Sequence, residues 1–297
     1  MKMKNKRKYI YYIAAVIILL FQLLNNNNQD SDIKTEVNGK LTVDFIDVGQ
    51  GDAILVRAPQ GLTMLIDAGD NSEEDRMVQY LQDKGIKRLD YVIGTHPHAD
   101  HIGGLDKVIR SFEIGEIYMP KKSHTTKTFE DVLLAIKEKG YKIHTAKAGV
   151  SLDLGEGVGV QMVAPVEDSY EDLNDYSAVI RVSYGDTSFL FTGDAEKIAE
   201  YDMIEGRYPL ESTVLKVGHH GSITSTTEEF LEAVAPTYGV ISSKKDNSYG
   251  HPHKEIIERL EQANVTYYNT QDDGTVIATT DGKTITWTTE GSSRYNK

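Results

Sequence analysis

Residues 95–104 read Thr-His-Pro-His-Ala-Asp-His-Ile-Gly-Gly, which places His96, His98, Asp100 and His101 within six positions. His96 and His98 are two apart, so an extended backbone turns both rings the same way, while Asp100 and His101 open the next element. Neutral imidazoles beside a carboxylate suit a borderline divalent cation such as Zn²⁺ or Mn²⁺. A histidine-rich surface loop has no need of this spacing, whereas four donors gathered at once read as a metal site. Further candidates lie downstream: Asp194 in Thr-Gly-Asp, the pair His219-His220 followed by Gly221-Ser222, and Tyr249-Gly-His251-Pro-His253.

The elements around these residues must bring them together. The apolar run 89–94 reads as a buried strand and Gly103-Gly104-Leu105 as the start of a helix, so the first cluster sits at a strand-to-helix junction. Strands are expected at 41–48, 53–57 and 63–70. Asp47 and Asp67 each follow an apolar strand, and Asp67 is read as the partner that orients a metal-bound histidine. Asp52 is a turn residue or part of the site rim. Helices are expected at 73–84 and around Phe129, Val132, Leu133 and Ile136, with Gly140 as the stop. His124 and His144 lie among Lys and Thr and read as surface or loop residues. Strands at 158–164, 177–184 and 187–191 follow, the last delivering Asp194, then 213–218, delivering His219 and His220. A strand at 239–243 leads into a polar loop at 244–253, and a terminal hairpin turns at Asp281-Gly282.

After the N-terminal segment about 250 residues remain, enough for one large α/β domain. There is no cysteine, which removes disulfides, thiolate ligands and lipidation of an N-terminal Cys. Net charge is −13, and the first eight residues contribute +5, leaving −18 on the rest. Such a surface repels polyanions, so a nucleic-acid substrate would have to be held by local positive groups and by metal. Residues 1–8 read as a basic cytoplasmic tail and 9–24 as a transmembrane signal anchor spanning ~24 Å, against a ~30 Å hydrocarbon core. The basic flank keeps the amino terminus inside and exports the rest. Secretion after signal cleavage is the alternative. Residues 25–39 read as a linker, 40–290 as the catalytic domain and 291–297 as a tail.

Taken in order, these motifs resemble the metallo-β-lactamase superfamily of metal-dependent hydrolases, whose signature is His-x-His-x-Asp-His. The resemblance implies a four-layer αβ/βα sandwich with metals at the edge where loops of two sheets meet. Asp-Val-Gly-Gln-Gly-Asp-Ala at 47–53, Leu-Ile-Asp-Ala-Gly at 65–69, Asn174-x-x-Ser177, Leu-Lys-Val-Gly-His-His-Gly-Ser at 215–222 and the 249–253 motif are similar to one branch, the C-terminal soluble domain of ComEC-type competence (DNA-uptake) proteins. The many membrane helices of those channels are absent, so channel function does not carry over. By this resemblance two divalent cations, Zn²⁺ or Mn²⁺, are the cofactors. His96, His98 and Asp194 would hold one; Asp100, His101, Asp194 and His219 the other, with His219 against His220 left open. The third histidine usual at the first position is missing, with Asn174-Asp175-Tyr176-Ser177 in its place, which leaves full occupancy of that position open.

The implied reaction is hydrolysis of a phosphodiester, DNA being the expected partner, by a membrane-anchored extracytoplasmic phosphodiesterase or nuclease. Asp100 would share in the chemistry and His220 or His251 would protonate the leaving oxygen. Asn174, Ser177, Ser222, Ser242, Ser243, Lys244, Asn247, Tyr249 and His253 would bind the substrate. Hydrolysis of another exported ester, such as a cell-wall phosphoester or a lactone, and a non-catalytic metal-stabilised binding module are the alternatives. No obligate protein partner is evident.

Overall fold

The computed structural model describes residues 39–291. The expected anchor at 9–24, the linker up to residue 38 and the tail from 292 lie outside the described residues. Among the described residues no helix is long and apolar enough to cross a membrane.

The chain first lays down β1 (Leu41–Phe45), β2 (Ile54–Arg57), β3 (Thr63–Ile66), β4 (Arg88–Ile93), β5 (Glu113–Met119) and β6 (Ile143–Thr145). It then builds a second sheet from β7 (Ser151–Asp153), β8 (Val158–Ala164), β9 (Val179–Tyr184), β10 (Thr187–Phe191), β11 (Val214–Lys216), β12 (Tyr238–Ile241) and β13 (Thr266–Asn269). The last strands, β14 (Val276–Thr280) and β15 (Ile285–Thr289), return to the first sheet, whose order is β15-β14-β1-β2-β3-β4-β5-β6. The second sheet runs β13-β12-β11-β10-β9-β8-β7. Pairing is parallel through β3, β4, β5 and β6 and again through β10, β11, β12 and β13.

Alternation along the strands makes the layers. In β3, Met64 and Ile66 face a core shared by the two sheets, while Leu65 faces an outer layer. In β10, Phe189 and Phe191 point into the shared core and Leu190 outward. The first outer layer packs on α1 (Glu74–Asp83), α2 (Ala99–Ile102), α3 (Leu105–Ser111) and α4 (Lys127–Lys139). The second packs on α5 (Lys197–Glu205), α6 (Glu228–Val234) and α7 (Lys254–Gln262); α8 (Thr270–Asp273) is a single turn after β13. The result is the expected four-layer α/β sandwich. Each fully buried Leu, Ile, Met or Phe contributes roughly 1.5–3 kcal/mol of burial. Phe45 of β1 meets Phe191 of β10 across the sheets at 6.0 Å between ring centroids, directly before Asp194 leaves its strand.

Several expected strands are shorter than their apolar runs. β1 stops at Phe45 and β3 at Ile66, because residues 46–53 and 67–70 leave the ladders to form loops, Asp67 taking a left-handed φ of 57°. β9 begins at Val179, since Asn174–Tyr176 close a 3₁₀ turn. His144 lies on the exposed edge strand β6. The ends of β3, β4, β10, β11 and β12 therefore converge at one edge of the sandwich.

Candidate metal centre

His96 follows the end of β4 and His98 caps the short helix α2, which carries Asp100 and His101. Asp67, at the end of neighbouring β3, is fully buried and organises this segment. It accepts from the Thr95 backbone N–H at 2.8 Å and from the Thr95 hydroxyl at 2.7 Å, and its Oδ2 lies 2.8 Å from His101 Nδ1. That contact keeps a proton on Nδ1 and aims the Nε2 lone pair of His101 into the site. His96 Nε2 lies 2.9 Å from His98 Nδ1, while His96 Nδ1 faces the Ser177 hydroxyl at 3.3 Å.

Asp194 stands between two groups of histidine nitrogens. Its Oδ1 is 3.1 Å from His101 Nε2 and 3.5 Å from His220 Nε2. Its Oδ2 is 3.8 Å from His96 Nε2 and 3.6 Å from His219 Nε2. His220 Nε2 is also 3.4 Å from Asp100 Oδ2. Asp100, His101, Asp194 and His220 thus offer four atoms all within 4.8 Å of one another. Ligands ~2.1 Å from a tetrahedral cation lie ~3.4 Å apart, so this group matches the spacing a cation requires. His101 Nε2, His220 Nε2 and Asp194 Oδ1 are buried and have no hydrogen-bond partner, which is the state of atoms built to face a cation. The residues present fit a divalent metal. Of the pair left open by the sequence, it is His220 whose ring nitrogen lies with Asp100, His101 and Asp194.

Electrostatics agree with that fit. Burial would lower the His101 and His220 rings, but Asp194 above all, with Asp67 and Asp100 around His101 and Asp100 and Asp52 around His220, raises both well above the ordinary imidazole range. A cation among the same carboxylates displaces those protons, so binding releases protons and weakens as pH falls. His96 behaves oppositely: burial first, then the His101 charge, pushes it well below the usual value, and it is a neutral donor.

Two partners escaped the sequence reading. Lys216, alternating between Leu215 and Val217 in β11, is fully buried with Nζ 3.0 Å from Asp52 Oδ1. Asp52 Oδ1 in turn lies 3.4 Å from His220 Nδ1, so Asp52 belongs to the site rather than to a simple turn. A lysine inside an apolar strand was the available signal. Glu196, two residues past Asp194, lies 3.0 Å from His219 Nδ1. The loop carrying Asp52 needs Gly51 at φ 133°, where a Cβ would sit 2.2 Å from the Asp100 carbonyl oxygen. Gly51→Ala is therefore expected to push α2 away from the centre and cost about 1–3 kcal/mol, with reduced cation content; thermal unfolding and metal analysis check it.

The expected substrate contacts divide. Tyr249 is 66% exposed and stacks on His251, with ring centroids 5.6 Å apart, at the mouth of a cleft of ≈ 270 Å³ lined also by His98, Asp100, Asp194, His219 and His220. Lys244, Gln50 and Asp100 line the adjoining groove. Ser177 is instead buried between His96 and the Asp194 N–H, and Ser243 donates to Asn269 Oδ1 at 2.9 Å. Asn247 shapes its own loop, donating to the Lys244 carbonyl and accepting from the Tyr249 and His251 N–H groups. Ser222 pairs with Thr224, His253 Nδ1 accepts from the Ile223 N–H, and Asn174 donates to Glu196. Ser242 is buried with its hydroxyl unpartnered, and its carbonyl faces His220 Nδ1 at 3.0 Å. These residues build the site and do not line its cleft. His220 turns Nδ1 to the Ser242 carbonyl and leaves Nε2 facing Asp194 and Asp100. His251 is brought down to about 4 by burial and by His219, His220 and His253. His124 is half-buried, its ring 6.2 Å from that of His98. A larger hollow of ≈ 480 Å³ beside Leu231, Pro236 and Arg259 is lined by neither histidine nor aspartate.

Residues 46–243 match the metallo-beta-lactamase superfamily, and every element of the centre but the 249–253 loop falls within them. The chain belongs to that superfamily. Its members are metal-dependent hydrolases. The chain is 34% identical over 251 residues to ComE operon protein 3 of Bacillus subtilis (strain 168), covering 79% of this chain and 32% of that protein. It is 33% identical over 217 residues to competence protein ComA of Neisseria gonorrhoeae, covering 72% and 28%. The chain thus spans about a third of the length of the curated relatives it matches. Among solved structures, the metallo-beta-lactamase fold protein YhfI from Bacillus subtilis superposes with a TM-score of 0.52 at 13% identity, over 81% of this chain and 99% of that one, which speaks for the fold alone.

Proposed function

We propose that this chain is a two-cation phosphodiesterase acting on DNA or a similar phosphodiester, held at the outer face of a membrane by residues 9–24. The observation that carries the reading is Asp194, whose two carboxylate oxygens face separate groups of histidine nitrogens. Asp100, His101, Asp194 and His220 would hold one cation; His96, His98 and Asp194 the other. Cations bound there supply positive charge that attracts a phosphodiester and activates water for attack on phosphorus. The protein's part is orientation. Asp67 fixes the His101 tautomer, Ser177 lies between His96 Nδ1 and the Asp194 N–H, and Asp52 with Lys216 backs His220. Lys244 and Tyr249 flank the cleft, offering a positive charge for a phosphate and an aromatic face for a base.

The test is turnover by chain stripped with a chelator and reloaded with Mn²⁺ or Zn²⁺, on bis(p-nitrophenyl) phosphate and on single-stranded DNA. Activity on both is expected only after reloading. Cation binding without turnover on any ester would favour the non-catalytic module, and turnover confined to a lactone or carboxylic ester would favour the other hydrolase reading. Lys244→Ala is expected to raise KM for single-stranded DNA about three- to tenfold at low salt, with cation content unchanged. The difference should shrink at high salt as phosphate contacts are screened over ~8–10 Å. The membrane placement is checked by adding protease to intact cells, which should digest the catalytic domain; protection until lysis would place it inside.

A further inference from the structure

The first cation position proposed above takes His96, His98 and one Asp194 oxygen, which leaves one nitrogen to find of the four donors a tetrahedral cation takes. We propose that His219 supplies that nitrogen, and that Glu196, fastened by Asn174 and Thr224, is the positioning residue that aims it. The proposal rests on the two-cation reading above and assigns a residue which that reading leaves unused.

Geometry carries it. His219 Nε2 lies 3.6 Å from Asp194 Oδ2, the oxygen that His96 Nε2 approaches at 3.8 Å, so both rings flank the same carboxylate oxygen. His219 Nδ1 is 3.0 Å from Glu196 Oε1, which leaves a proton on Nδ1 and the lone pair on Nε2. Glu196 Oε1 is itself held by the Asn174 amide at 3.2 Å and by the Thr224 hydroxyl at 2.8 Å. The Asn-x-x-Ser segment at 174–177 therefore reaches the same proposed position indirectly, Asn174 through Glu196 and Ser177 through His96.

The backbone explains how adjacent residues serve two positions. In a strand, neighbours point to opposite faces. His219 (φ 46°, ψ 48°) and His220 (φ 56°, ψ 21°) are instead both left-handed, and their rings stand at 71° with centroids 5.9 Å apart. One ring reaches Asp194 Oδ2 and the other Asp194 Oδ1. Two successive non-glycine residues in this conformation are strained, as expected where a site demands it.

The experiment is Zn²⁺ titration of the full, metal-stripped chain by calorimetry, with bound metal counted by elemental analysis. His219→Asn suits the left-handed backbone, since Asn tolerates it, but is too short to reach Oδ2. Glu196→Gln keeps the shape and removes the charge. The parent is expected to take two Zn²⁺ per chain. His219→Asn should keep one site at parental affinity and weaken the other at least about 100-fold, and Glu196→Gln should weaken the same site about 10- to 100-fold. His101→Ala should strike the opposite site, and unfolding midpoints of the metal-free variants show that each is folded. Two sites of parental affinity in His219→Asn would overturn the proposal. A parent that binds fewer than two Zn²⁺, with Asp194→Asn binding as the parent does, would instead overturn the two-cation reading.

Discussion

Asp194→Asn is expected to reduce bound cation from two per chain to one or none and to lower turnover at least about 10³-fold, while the fold survives. Asp194 is buried, and four histidine nitrogens converge on its two oxygens. Burial by itself would raise its carboxyl, yet His101 and then His220 hold it well below the ordinary carboxylate range, so the side chain is an anion throughout the working pH range. Asparagine keeps the volume and the backbone bond to Ser177 Oγ at 3.1 Å. It offers one acceptor oxygen and turns an NH₂ group toward the remaining imidazoles, so one cation position loses both its charge and its donor. Cation content and turnover must therefore fall together. A variant with two bound cations and parental turnover would show that Asp194 does not bridge.

Lys216→Met should destabilise the protein by about 3–5 kcal/mol at pH 7, because removing one partner leaves a buried charge uncompensated. Lys216 is fully buried, its Nζ between Asp52 Oδ1 at 3.0 Å and the Val217 carbonyl, to which it donates at 2.9 Å. Burial acts against ionised Asp52, but the Lys216 ammonium, then His220, outweigh it and bring the carboxyl down to about 2 from 3.8. A depressed carboxyl stabilises the folded state above its ordinary value, and that contribution is lost as pH falls toward 2. In the variant, burial is no longer opposed by the ammonium, so Asp52 moves upward and the penalty is relieved as the group protonates. The stability gap should be full at pH 7 and narrow as pH falls below about 5. Denaturant unfolding in chelator, at several pH values, checks it. Asp52→Asn in the same chain should recover much of the loss, since the stranded charge is gone. A gap that is small at pH 7, or that widens with acid, would show that the pair is not held as an ion pair.

The layered fold was legible because alternation is a local property. Met64 and Ile66 against Leu65, or Phe189 and Phe191 against Leu190, reveal two buried faces without any knowledge of what covers them. Strand ends were less legible: the apolar run through Ile46 and Val48 continues past β1, since both residues are buried in a loop packed on the outer layer. Burial, not pairing, sets that pattern. Polar residues near the site are hard to sort for a related reason. Ser177 and Ser243 satisfy buried partners, and a hydroxyl that braces a site looks the same in sequence as one that binds a ligand.

By itself the sequence determined the ligand types, the order of the motifs and their place at strand ends, since spacing of two in an extended loop and a carboxylate after an apolar strand are consequences of backbone geometry. Asp67 as the partner that orients a site histidine follows from the same logic, and the structure makes that histidine His101. Only the tertiary structure decided which of His219 and His220 joins Asp100, where Lys216 and Glu196 point, and that Asp194 divides its oxygens between two groups. Those outcomes depend on a doubly left-handed turn and on contacts between residues 23 to more than a hundred positions apart, which no local pattern encodes.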